Sequence, residues 1–146
     1  MPHLTIQFAA QAGPLIDVML GVSRPRAAAL QAVSQPVPSP IQIRGLIDTG
    51  ASGTCIDPGI LKQLQIPVTG QVPMITPSTG ATPVQADLFD VSLILIHAEL
   101  SYTFGALPVM CSELNHQGFD ALIGRDILER CLLVYDGRAQ IYTLAF

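Results

Sequence analysis

Charge is scarce in this sequence. Its 7 Lys and Arg and 11 Asp and Glu make up 12% of 146 residues, where about 25% is ordinary. Tryptophan is absent, Phe and Tyr are few, and the basic residues form no cluster. An acidic chain of net charge −4, with neither a cationic patch nor interleaved aromatics, does not suit nucleic acid as a partner. No stretch approaches the ~20 apolar residues of a membrane helix; Leu93 to Ile96 is broken at once by Ser92 and His97. The N-terminus lacks the basic segment and apolar block of a secretory signal. Three cysteines, Cys55, Cys111 and Cys131, have no paired spacing. They read as reduced thiols in a cytoplasmic protein, or in a soluble domain of a longer or membrane-attached one, and not as a disulfide frame.

What is present is apolar: 49% of the chain. The length suits one domain, and the thin charge fits either surface hidden in a subunit interface or a sparsely charged monomer. The patterning is mostly that of strands. Leu4, Ile6 and Phe8 alternate with polar residues, and Leu15 to Leu20 follows Gly13-Pro14, so these two segments are expected to pair as a hairpin. Ser23 to Pro40 is rich in Ala and Pro and reads as a loop or arm, with a weak helical signal at Arg26 to Ala32. Ile41 to Ile47 is a strand ending at Asp48-Thr49-Gly50. Asp57-Pro58 has the pattern of an N-cap followed by a first-turn proline and opens a short helix bearing Ile60, Leu61 and Leu64, stopped by Pro67. Val72 to Ile75 and Val84 to Ile96 flank the turn-rich tip Thr76 to Pro83, a β-hairpin whose return strand places Phe89, Val91, Leu93 and Leu95 on one face. Ala121-Leu122-Ile123 leads through Gly124 into a helix at Arg125 to Arg130. Asp136-Gly137 between Leu132–Tyr135 and Ile141–Phe146 signals a final hairpin. The whole reads as an all-β, barrel-like domain with one or two short helices.

Chemistry concentrates at Leu46-Ile47-Asp48-Thr49-Gly50-Ala51-Ser52. Two apolar residues bury a strand end, a carboxylate follows, and small residues let the backbone turn tightly and let another chain approach it. By itself the tripeptide Asp48-Thr49-Gly50 also fits an Asx-type turn. A second segment, Phe119 to Leu128, repeats the apolar pair, the glycine and a short helix. Through Asp48 to Ser52, the hairpin Met74 to Ala86, and Leu122-Ile123-Gly124-Arg125-Asp126, the chain resembles the retropepsins, the single-domain aspartic proteases of retroviral type. The helix after Asp57-Pro58 leans towards bacterial and cellular members. The resemblance spans roughly residues 41–146, with residues 1–40 as N-terminal strands and an arm packed with the same domain.

That resemblance implies a closed β-barrel of the acid-protease fold, one lobe per chain, and an aspartic endopeptidase. Carboxylate-only peptide hydrolysis needs two acids around one water, one accepting its proton and the other donating to the scissile carbonyl. The chain holds a single Asp-Thr-Gly, so the complete site implies a homodimer with one Asp48 from each subunit. Thr49 would bond across the two-fold axis, with Gly50 and Ala51 supporting the loop and leaving backbone free for an extended peptide. Ile75, Thr76, Pro77, Ser78, Thr79, Gly80 and Ala81 would form the closing flap. Leu122 and Ile123 would line apolar subsites, and Gly124, Arg125 and Asp126 would have structural roles beside the site. No metal or cofactor is implied. Two departures stand out. Ser52 occupies the place where viral members commonly carry an aspartate for the arginine corresponding to Arg125, and the flap is rich in Pro, Ser and Thr instead of Gly, which implies a stiffer lid.

Other chemistries are weaker. Ser52 with His97 or His116 misses the nucleophile-elbow spacing by one position. Cys111 with His116, or Cys55 as nucleophile, would make a thiol enzyme or a metal site, but the spacing fits no zinc pattern and isolated buried cysteines are common. Asp120 has a loop role or faces substrate, and Asp136 a turn role. A reading from another class is a catalytically silent dimer that holds extended peptides or mediates assembly.

Overall fold

The computed structural model describes residues 1–98 and 100–146, with backbone alone at His97 and Leu100. Ten strands and three short α-helices follow one another as β1 (His3–Gln7), β2 (Leu15–Val22), α1 (Arg24–Ala32), β3 (Ile41–Ile47), β4 (Cys55–Ile56), α2 (Pro58–Gln63), β5 (Val68–Met74), β6 (Val84–His97), β7 (Leu100–Cys111), β8 (Ala121–Ile123), α3 (Arg125–Leu128), β9 (Leu132–Asp136) and β10 (Ile141–Ala145). Six of them, in the order β2-β3-β8-β4-β7-β6, close on themselves through a β2–β6 pairing. Closure removes the exposed strand edges that an open sheet must protect. Inside, alternate residues of each strand meet: Val18 and Leu20 of β2, Val91, Leu93 and Leu95 of β6, and Ile123 of β8 are all within 1% of full burial. The closed barrel agrees with the all-β architecture implied by the sequence, and none of the helices among the described residues is long and apolar enough to cross a membrane.

The first hairpin does not form. β1 pairs with β10, which pairs in turn with β9, making a separate three-stranded sheet. Edge availability is part of the reason: β2 is bonded to β3 from Leu15 to Leu20 along one side, and β6 takes Met19 to Val22 of the other, which leaves β1 only the first half of that edge. Instead Leu4 lies beside Leu144, and Phe8 stacks on Tyr135 with ring centroids 5.1 Å apart. The Tyr142 hydroxyl donates to the Leu15 carbonyl at 2.6 Å, fastening this sheet to the start of β2.

Helix α1 begins at Arg24, two residues before the expected segment, because Ser23 caps it: the Arg26 N–H donates to Ser23 Oγ at 3.2 Å. The α2 cap is as the sequence implies, and stronger. Asp57 Oδ1 accepts from the Gly59 N–H, while Oδ2 accepts from those of Leu114 and Asn115, all at 2.9 Å. Burial pushes this carboxyl upward, but the three backbone donors, with His116 adding, outweigh it and hold Asp57 below the ordinary carboxylate range. Its ionised form therefore stabilises the fold above about pH 4, and that contribution disappears as pH falls through the lowered native value. Asp57→Ala is expected to cost about 3 kcal/mol at neutral pH. Urea unfolding should show this gap from the wild type narrowing towards pH 3 or below.

Candidate active site

The two informative segments lie side by side. β3 and β8 run parallel, pairing Leu46 with Leu122 and Ile47 with Ile123, and the Asp48 N–H extends the ladder by donating to the Ile123 carbonyl at 3.0 Å. Beyond that bond the chain leaves the barrel and turns. The Gly50 N–H donates to Asp48 Oδ1 at 2.9 Å, and the Ala51 N–H to the Asp48 carbonyl at 3.2 Å. Asp48 is half-buried, with Thr49 and Gly50 exposed. Its second carboxylate oxygen carries no hydrogen bond among the described residues.

Several bonds hold this loop from behind. Arg125 Nη1 donates to the Thr49 carbonyl at 2.8 Å and the Arg125 N–H to the Ala51 carbonyl at 2.9 Å, so a main-chain oxygen is the partner that Ser52 does not supply. Thr54, fully buried, donates its hydroxyl to Asp126 Oδ1 at 2.8 Å and its N–H to Asp126 Oδ2 at 2.9 Å. The Thr54 hydroxyl in turn accepts from the Gly124 N–H at 3.2 Å. Every polar atom of this knot is satisfied, which is the condition for such a network to stiffen its surroundings. Gly124 is glycine for lack of space: a Cβ there would stand 2.5 Å from the Gly53 carbonyl carbon.

Asp48 opens into a cleft of about 470 Å³. Gly50, Ala51, Ser52 and Gly53 form one wall; Pro73, Met74, Ile75, Thr76 and Pro77 of the β5–β6 hairpin form another; Cys55, Met110 and Leu122 form the floor. The hairpin tip is braced by hydroxyls. Thr79 Oγ1 accepts from the Thr76 N–H at 2.8 Å and donates to the Thr76 carbonyl at 3.0 Å, and Ser78 meets the Thr76 hydroxyl.

Of the flap residues singled out from sequence, Ile75, Thr76 and Pro77 line the cleft, whereas Ser78, Thr79, Gly80 and Ala81 make the tip beyond it. Leu122 lines the floor. Ile123, expected to line a subsite beside it, points the opposite way and is wholly buried in the barrel core, as the two-residue period of a strand requires. Asp120 lies outside the cleft: its carboxylate accepts from the Arg44 N–H at 3.1 Å. Asp136 closes the β9–β10 turn by accepting from the N–H groups of Arg138 and Ala139. Met110 carries no signal in the sequence as a site residue; Met74 enters only as the start of the flap hairpin, and Cys55 only as a candidate nucleophile close to Asp48 along the chain.

The competing chemistries find little here. Ser52 stands in the cleft wall, but among the described residues no histidine lines the cleft; His116 sits on an exposed turn after Leu114, and the His97 side chain is outside the described residues. Burial, with Asp126, Asp48 and Cys111 adding, pushes the Cys55 thiol up to about 11, so it is protonated and a poor nucleophile at neutral pH. Among the described residues no group of three or more His, Cys, Asp or Glu side chains could hold a metal ion.

Comparison with known proteins bears on the family and the fold. A family model described as retroviral aspartyl protease matches residues 10–134. The fold is similar to the crystal structure of a retropepsin-like aspartic protease from Rickettsia conorii, with TM-score 0.62 and 15% identity over 99% of this chain and 91% of that one. The retroviral protease-like domain of Ddi1 from Leishmania major matches at TM-score 0.41 and 13% identity, over 85% of this chain and 82% of that one. No curated protein matches by sequence. With the family match running from before β2 into β9, the chain belongs to the retroviral aspartyl protease family.

Proposed function

We propose that this chain is a homodimeric aspartic endopeptidase in which the two Asp48 carboxylates, one from each subunit, activate a single water. The observation that carries the reading is the position of Asp48: a half-buried carboxylate on a tightly held turn, opening into a cleft walled by a hairpin. Like charges so close cannot both ionise, so the pair shares one proton, the established behaviour of aspartic-protease dyads. The ionised member takes the water's proton, and the protonated member donates to the scissile carbonyl and stabilises the developing oxyanion.

Among the described residues Asp48 is the one carboxylate lining the cleft of each subunit, so dimerisation is part of the mechanism. Thr49, exposed beside Asp48, would meet its symmetry mate across the two-fold axis, and the bond of Arg125 to its carbonyl supports that role. Leu132 and Val134 stand exposed on β9, whose outer edge carries no strand among the described residues. That apolar face suits a subunit contact. An extended peptide lies under the β5–β6 hairpin, which excludes water and offers strand-like bonds. Leu122, Met110 and Ile75 favour apolar side chains around the cut.

The test is to incubate the protein with a diverse peptide mixture across about pH 4 to pH 8 and read the products by mass spectrometry. A bell-shaped, acid-shifted profile with cuts between apolar residues is expected, since the pair must hold one proton. A flat or alkaline profile contradicts the shared-proton mechanism.

A further inference from the structure

Two of the four methionines in the chain line the cleft that holds Asp48. Met74 ends β5, where the hairpin leaves the sheet, and Met110 lies on β7 opposite Cys55. Both are half-buried and pack, with Leu122, against a small cluster of Cys55, Leu114 and Phe119. The other two are elsewhere: Met1 is 80% exposed at the terminus, and Met19 lines a separate surface pocket with Ile96.

We propose that Met74 and Met110 form a reversible modification site, at which a peroxide converts the thioethers to sulfoxides and closes the cleft to substrate. This rests on the reading of the cleft as the peptide-binding site. In the step, the thioether sulfur gives an electron pair to one peroxide oxygen. The O–O bond breaks, an S–O bond forms, and the remaining oxygen leaves as water; sulfur is oxidised by two electrons and the peroxide reduced by two. A sulfoxide reductase drawing on a thiol reverses it.

Three features point to the methionines. The Cys55 thiol beside them is held protonated by its burial, and a protonated thiol is a poor peroxide target, whereas a thioether needs no deprotonation. The surroundings are apolar, with Leu122, Ile75 and Pro73 in the same lining, so a new sulfoxide oxygen sits where an apolar substrate group belongs. Finally, Met110 Cε comes within 3.2 Å of the place a Cβ would occupy on Gly53. An added oxygen on the neighbouring sulfur therefore lies beside the loop between Asp48 and Thr54 and changes the apolar surface that faces it.

The experiment treats the folded protein with hydrogen peroxide and maps sulfoxides by mass spectrometry while following peptide cleavage. Cleavage is expected to fall by about tenfold or more in step with sulfoxide at Met74 and Met110. Sulfoxide reductases of both epimer specificities with dithiothreitol should restore it, and dithiothreitol alone should not. The double variant Met74→Leu, Met110→Leu, which keeps the volume nearly constant, should keep most of its own untreated activity. Complete sulfoxide formation without loss, or an equal loss in the double variant, overturns the proposal. The same series is run as binding of a short fluorescein-labelled peptide with a central Leu-Phe to Asp48→Asn. Peroxide-sensitive binding with no cleavage by the wild type leaves the modification site standing and removes only the protease reading; binding indifferent to peroxide removes the site.

Discussion

Asp48→Asn is expected to lower peptide cleavage by about 10⁴-fold or more while leaving the unfolding midpoint nearly unchanged. The substitution is close to isosteric, and an amide oxygen can accept the Gly50 N–H that now meets Asp48 Oδ1 at 2.9 Å. What it removes is the ability to take or give a proton. The turn itself depends on bonds that the substitution does not touch, those of Arg125 to the carbonyls of Thr49 and Ala51. Measuring kcat/KM and the thermal midpoint of the same preparations separates the two roles. A large fall in the midpoint would make Asp48 a structural residue of the turn, and full activity would remove it from the chemistry.

Gly124→Ala is expected to have the largest effect on stability, about 3 kcal/mol or more. The added Cβ would stand 2.5 and 2.6 Å from the carbonyl carbon and oxygen of Gly53 and 3.0 Å from the Thr54 nitrogen. All three are backbone atoms, in the stretch where Thr54 is bonded to Asp126 and to the Gly124 N–H. Relief requires the Asp48 loop to move away from β8, so activity should fall with stability. Gly105 provides the contrast. A Cβ there meets Arg24 Cδ at 2.7 Å, but Arg24 is an exposed, flexible side chain that can swing aside, and Gly105→Ala is expected to cost less than about 1 kcal/mol. Urea unfolding of the two variants beside the wild type distinguishes backbone crowding from side-chain crowding. Equal costs would mean that the Gly53–Gly124 contact is not rigid.

The parts of the fold legible in the sequence are those where local pattern and tertiary role coincide. Leu46-Ile47-Asp48 and Leu122-Ile123-Gly124 announce strand ends because each apolar pair must fill a core beneath a turn, and the structure sets them side by side. Asp57 announces a cap because its side chain and the following proline act within one turn. Pairing partners are another matter. Alternation marks β1 as a strand, but nothing local to Leu4 or Ile6 says that β10, at the other end of the chain, will be its neighbour.

β7 is hard to recognise in the sequence for a different reason. The register with β6 shifts between Val91 and Leu93, so that Phe104 and Leu107, three residues apart, both face inward. This bulge breaks the two-residue period, and Pro108 further disguises the strand. Without a recognisable strand pattern in β7, nothing in the sequence sets Met110 in the cleft. The last hairpin was legible, but its loop is longer than the Asp136-Gly137 pair suggests. Asp136 pairs with Ile141, and its carboxylate gathers the Arg138 and Ala139 N–H groups in a turn that Gln140 closes at positive φ.

The most direct measurement mixes wild-type protein with Asp48→Asn in equal amounts, under conditions where subunits exchange, and reads peptide cleavage. If one carboxylate from each subunit is required, only the wild-type homodimer is active, and activity is expected to settle at about a quarter of that of undiluted wild type. Activity of about a half, proportional to the wild-type chains present, would mean that each chain acts alone and would contradict a site shared between two copies.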